Sequence, residues 1–226
     1  MRPVRFVTLF VALSAVATAS NNTLPLSVSD DVKNAIEKAD TALGTGERQL
    51  ALALYEGSLY PDGIKLAVDD STVTSDSQIR GVSQALEVWR SELQGDFPVE
   101  LVYDVKQADV VVKFVDSIDD RGTDTLGLIK LQKSFRWSSV KREITYRGTI
   151  SIVRSAPGGR LTQAEVRDVA MHEIGHLLGL ADTSRHGVLM GPLERGKPLN
   201  KPTQQETDDV KAIRRVLRQK LQSAGS

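Results

Sequence analysis

One stretch constrains this chain more than any other: Val169-Ala170-Met171-His172-Glu173-Ile174-Gly175-His176-Leu177-Leu178-Gly179-Leu180-Ala181-Asp182. On a helix, His172 and His176 lie four residues apart on one face, so both imidazoles can reach a single metal ion. Glu173, beside the first of them, then reaches a water held at that ion, which is a zinc peptidase site in outline. A structural zinc site wants four protein ligands, commonly cysteines, whereas a catalytic site keeps three ligands and an open position. The chain contains no cysteine, and this favours the catalytic arrangement.

The third ligand has few candidates, because the only other histidine is His186. Gly179 follows His176 by three residues, where a glycine can end the helix in a left-handed turn and swing the chain back. Asp182 lies three residues further on and is the expected third ligand. His186, beyond Thr183-Ser184-Arg185, is the alternative and needs a wider loop.

His-Glu-x-x-His-x-x-Gly-x-x-Asp resembles the metzincin signature with aspartate in the third-ligand position, the ligand set of snapalysin-like peptidases. The wording His-Glu-Ile-Gly-His-Leu-Leu-Gly-Leu, followed by Val188-Leu189-Met190-Gly191-Pro192, is most similar to a matrixin. That resemblance implies one catalytic Zn2+ on His172, His176 and Asp182, with Glu173 as general base. It implies also that Met190 sits in a Met-turn, an apolar floor beneath the metal that does not bind it. Leu126, Gly127 and Leu128 fall where matrixins have the edge strand that receives substrate, and Pro192 and Leu193, with Glu194, where they have the outer wall of the pocket. The activity implied is zinc-dependent endopeptidase action on a protein or peptide substrate. Two rivals stand beside it: a catalytically silent binding protein on the same scaffold, and an interaction module with purely structural zinc.

Arg2 and Arg5, an apolar run over residues 6–17, and Ala17-Thr18-Ala19 before polar Ser20 form the layout of a signal peptide over residues 1–19. The apolar run is short for a membrane span. The mature chain is therefore expected outside the cytoplasm, extracellular or periplasmic, soluble and monomeric. Basic and acidic residues balance at 29 each, which argues against nucleic acid as partner. With no disulfide to form, stability must come from the core.

Residues 20–60 carry apolar positions at spacings of three and four, interrupted by Gly44-Thr45-Gly46, and read as a helical hairpin. Such a lone unit either packs on the neighbouring domain or remains loose, and it is either a propeptide or an N-terminal embellishment. Matrixin propeptides silence zinc with a cysteine, so latency by that route is excluded. Tyr60-Pro61-Asp62-Gly63 is a turn and the expected boundary of a catalytic domain at 61–226. Alternating apolar residues predict strands near 64–68, 99–105, 108–115, 126–135 and 143–153, with an amphipathic helix over 76–93. Thr162 and Glu165 form a capping-box pattern that opens the histidine-bearing helix. This order resembles a matrixin domain of α+β class: a five-stranded twisted mixed sheet, an active-site helix, a Met-turn and a C-terminal helix. The histidines and aspartates that hold a structural zinc in matrixins are missing from 116–137, and Ca2+ has no support in the sequence. Lys130, Lys133, Arg136, Lys141, Arg142 and Arg147 gather near the edge strand, either as a solvated face or as a preference for acidic peptides.

Overall fold

The computed structural model describes residues 24–118, 125–137 and 142–225. The signal-peptide layout at 1–19 and Lys141 lie outside the described residues. Five strands form one sheet: β1 (Ile64–Val68), β2 (Val99–Leu101), β3 (Val110–Val115), β4 (Gly127–Trp137) and β5 (Arg142–Val153), in the order β2-β1-β3-β5-β4. β1 pairs parallel with β2 and β3, and β3 pairs parallel with β5. β4 runs antiparallel to β5 and lies at the margin of the sheet. The mixed α+β architecture expected from the sequence is therefore the one observed. The expected strand at 99–105 stops at Leu101. Asp104 accepts the Lys106 N–H at 2.9 Å and diverts the chain into a short 3-10 turn, Val105–Gln107.

Helix α1 (Asp30–Gly44) and helix α2 (Arg48–Leu59) form the N-terminal hairpin. α1 is capped by Ser29 and buries Val32, Ile36 and Ala39 at helical spacing. Helix α3 (Asp76–Leu93) packs against helix α4 (Gln163–Leu177), and helix α5 (Gln204–Gly225) closes the domain. The buried Trp89 indole of α3 donates to the Met171 carbonyl of α4 at 2.9 Å. α4 is enclosed on several sides, with Val166, Val169, Ala170, Met171, Ile174 and Leu177 all buried and none of its residues exposed.

The hairpin belongs to the same continuous core as the sheet and α4. α2 lies on α5 and against β4 and β5. Arg142 of β5 clasps Glu56 with two hydrogen bonds of 2.6 and 2.8 Å, and Arg214 of α5 donates to the Leu59 carbonyl at 3.0 Å. Ahead of α1, Val28 forms an antiparallel bridge with Leu180. Among the described residues, no helix is long and apolar enough to cross a membrane.

Candidate active site

The site is built on α4. Thr162 and Glu165 make the expected capping box: the Thr162 hydroxyl accepts the Glu165 N–H, and the Glu165 carboxylate accepts the Thr162 N–H at 2.8 Å. Arg195 adds a 3.1 Å hydrogen bond to Glu165. Burial raises the Glu165 pKa, but Arg195, Thr162 and Gly196 together outweigh it and hold the carboxyl at about 2.

One turn apart on α4, the rings of His172 and His176 meet edge-on with centroids 4.8 Å apart. His172 Nδ1 lies 2.7 Å from the Leu189 carbonyl and His176 Nδ1 3.0 Å from the Leu180 carbonyl. A carbonyl only accepts, so each Nδ1 carries the proton and each Nε2 turns a lone pair inward.

After α4, Gly179 takes φ +98°, and the Leu180 N–H donates back to the Gly175 carbonyl at 3.0 Å. A left-handed residue here ends the helix and reverses the chain. The returning strand is pinned by backbone bonds from Ala181 N to Ser27 O, 2.7 Å, and from Ser29 N to Gly179 O, 2.8 Å. Asp182 then places Oδ1 3.1 Å from His172 Nε2 and 3.2 Å from His176 Nε2. The two histidine contacts hold the Asp182 carboxyl well below the usual carboxylate range, against the effect of burial. For His176 burial lowers the pKa, yet Asp182 and the Leu180 carbonyl outweigh it and the net shift is upward.

His172, His176 and Asp182 bring three ligand atoms within 4.8 Å of one another. Two imidazole nitrogens and a carboxylate oxygen so close can share one cation. The 3.1 and 3.2 Å spacings approach the edge, roughly 3.3 Å, of a tetrahedron with zinc–ligand bonds of about 2.0–2.1 Å. The donor set, two imidazoles oriented by carbonyls and one carboxylate, thus fits zinc. His186 stands apart: its side chain is 70% exposed and its Nδ1 lies 3.1 Å from Glu194 Oε1.

Glu173 is buried beside this cluster. Burial raises its pKa, opposed by His172, His176 and the Ile129 N–H of β4, which donates to its carboxylate. That bond aligns the sheet edge with the centre of the site. A cleft of about 430 Å³ runs over it, bordered by Leu126, Gly127 and Leu128 on one side and by Pro192 and Leu193 on another. Met190 is buried, and its sulfur packs against Gly175 directly behind the histidines.

Two contributions escape the motif. Glu206, in the first turn of α5, accepts the Met190 N–H at 2.8 Å and so fixes the Met-turn from behind. Thr203 and Glu206 form a second capping box, the same signal that marked Thr162 and Glu165. The hairpin also supplies part of the cleft, through Ser29, Asp31, Val32, Ser58 and Tyr60. The basic cluster divides: Lys130 and Arg136 point to solvent, Lys133 turns inward, and Arg142 is committed to Glu56.

A mixed sheet whose marginal strand borders a buried His-Glu-x-x-His helix defines a metallopeptidase scaffold of the metzincin kind. The matrixin family model matches residues 63–217, most of the chain. The chain belongs to the matrixin family, whose members are zinc metalloendopeptidases. No curated protein matches the sequence.

Proposed function

We propose that this matrixin is a secreted, monomeric, zinc-dependent endopeptidase acting on proteins or peptides in the extracellular space or periplasm. The observation that carries the reading is the convergence of His172, His176 and Asp182 beside the buried Glu173. His172, His176 and Asp182 would hold zinc, which would supply Lewis acidity and lower the pKa of water toward neutrality. Glu173 takes the proton from the attacking water and passes it to the leaving amine. An extended substrate adds to the margin of the sheet at Leu126-Gly127-Leu128, where backbone amides pair with it. Pro192 and Leu193 face it as the outer wall. Export rests on the layout of residues 1–19, and Ca2+ has no part in the reading.

The test is Glu173→Gln. The variant keeps the shape of the side chain and the zinc, and loses turnover by a factor of about 10²–10⁴. Zinc content by atomic absorption and hydrolysis of casein are read on the same preparation. Near-wild-type hydrolysis by a zinc-loaded Glu173→Gln protein overturns the mechanism. A zinc-loaded wild type that cleaves nothing returns the protein to the class of silent binding scaffolds.

A further inference from the structure

Strand β4 alternates: Lys130, Gln132, Ser134 and Arg136 are exposed, whereas Ile129, Leu131, Lys133 and Phe135 turn toward the helices. A lysine in that inward series is anomalous. Its ammonium lies 5.1 Å from the centre of the Tyr60 ring, which meets the ring of Tyr146 at 5.0 Å. Tyr146 is also the cross-strand partner of Lys133. The ammonium therefore rests on an aromatic floor made by the hairpin and the sheet together. Among the described residues it makes no hydrogen bond and no ion pair. Asp31 of α1 is close enough to raise its pKa, but burial has the larger effect and brings it down to about 8.

Lys133 and its neighbours Asp31 and Tyr60 line the same cleft as His172 and Glu173. Glu173 is bonded to the backbone of Ile129, and Lys133 is four residues further along the strand. At about 3.3 Å per residue that is roughly 13 Å from the catalytic carboxylate. A substrate paired with this strand advances at the same rate, so Lys133 meets the side chain or terminus about four residues from the cleaved bond. A half-buried cation that makes no direct ion pair among the described residues, with Asp31 acting on it only at longer range, is, in a cleft that receives a peptide, a site for the substrate's charge.

Resting on the peptidase reading, we propose that Lys133 is the specificity-determining cation of the cleft, binding a substrate carboxylate about four residues from the scissile bond in a subsite completed by the hairpin. The shared chemistry is a carboxylate, from an Asp or Glu side chain or from the C-terminus of the peptide.

The experiment uses zinc-loaded full-length protein and peptide pairs that differ by Glu against Gln at successive positions, with free and amidated C-termini. Hydrolysis gives kcat/KM, and fluorescence anisotropy with zinc-loaded Glu173→Gln gives affinity without turnover. The expected result is a preference of about tenfold or more for the carboxylate at one position. A preference insensitive to amidation assigns a side chain, and one lost on amidation assigns the terminus. Lys133→Met brings the ratio to about one, and Lys133→Arg retains it. The titratable groups facing Lys133 are Asp31 of α1, Tyr60 after α2 and Tyr146 of β5, and burial pushes both tyrosines up. Accordingly the wild-type preference fades as pH rises through about 8, while that of Lys133→Arg persists. Equal handling of Glu and Gln peptides by the wild type, or a preference that survives Lys133→Met, overturns the proposal. Should the Met variant fail to fold, Lys133→Gln is read in its place, and a preference that survives it overturns the proposal equally. Hydrolysis without preference sinks the subsite and spares the peptidase; a binding preference without hydrolysis does the reverse.

Discussion

A Cβ on Gly127 would lie 2.5 Å from Oε1 of Glu173 and 2.6 Å from a methyl of Val169. The edge strand can cross the Glu173 carboxylate this closely only because residue 127 has no side chain. Gly127→Ala forces either the strand or the carboxylate to move. A displacement near 1 Å at a reacting group costs about 100-fold in rate. The expected outcome is kcat/KM down by about that factor, with zinc content and circular dichroism unchanged. Full activity in the variant would show that β4 does not constrain Glu173.

Asp182 and His186 compete for the third ligand position. Asp182 lies within hydrogen-bonding distance of both histidine Nε2 atoms, and His186 is engaged with Glu194 at the surface. We predict that Asp182→Ala lowers zinc affinity by orders of magnitude, whereas His186→Ala remains loaded and active. Zinc stoichiometry after dialysis against a mild chelator decides between them. Emptying of the His186 variant instead would move the third ligand and leave the family membership intact.

What the sequence made legible was local. The four-residue spacing of His172 and His176, the capping pair Thr162 and Glu165, and the period-two strands each follow from contacts within one element. The position of Asp182 was readable only as a pattern, because its physical cause is the pairing of Ala181 with Ser27, more than 150 residues away in the chain. Glu206 went unread although Thr203 and Glu206 announce a helix start: nothing local says that the same carboxylate reaches the Met190 N–H. Lys133 stands in a run of bases that reads either as a solvated face or as a preference for acidic peptides, and nothing local decides between them. Its inward course is decided by α2, which covers that face of β4. The 3-10 turn at Val105–Gln107 depended on one aspartate side chain, in a stretch whose apolar alternation continued past it.

Acid resistance should depend on Glu165. Its folded pKa is about 2 against 4.5 for an unperturbed glutamate, so the group contributes stability above about 4.5 and loses it as pH falls toward about 2. Glu165→Gln removes the charge that Arg195 and the helix N-terminus bind. Urea midpoints of the two proteins are expected to differ clearly at pH 7 and to converge as pH drops from about 4.5 to about 2. A gap that stays constant over that range would mean that Glu165 acts by shape and not by charge.

The hairpin is the element on which turn chemistry and packing disagree most. Tyr60-Pro61-Asp62-Gly63 is a turn suited to a domain boundary, but the buried cluster continues across it. Val28, Val32, Ile36, Leu52 and Leu59 are each at most 6% exposed. At about 1.5–3 kcal/mol for each such side chain, the apolar burial lost with them is roughly 7–15 kcal/mol, an upper figure because part of it is internal to the hairpin. Typical domains have only about 5–15 kcal/mol in total. Removal would also strand Arg142 without Glu56 and Arg214 without the Leu59 carbonyl, and unpin the segment that carries Asp182. A fragment beginning at Asp62 is therefore expected to be insoluble or molten. The chain beginning near Ser20 should fold, bind zinc and cleave substrate with its N-terminus intact, as followed by N-terminal sequencing during the assay. A soluble, cooperatively unfolding fragment from Asp62 would make the hairpin a separable propeptide, and faster turnover by that fragment would make it an inhibitory one.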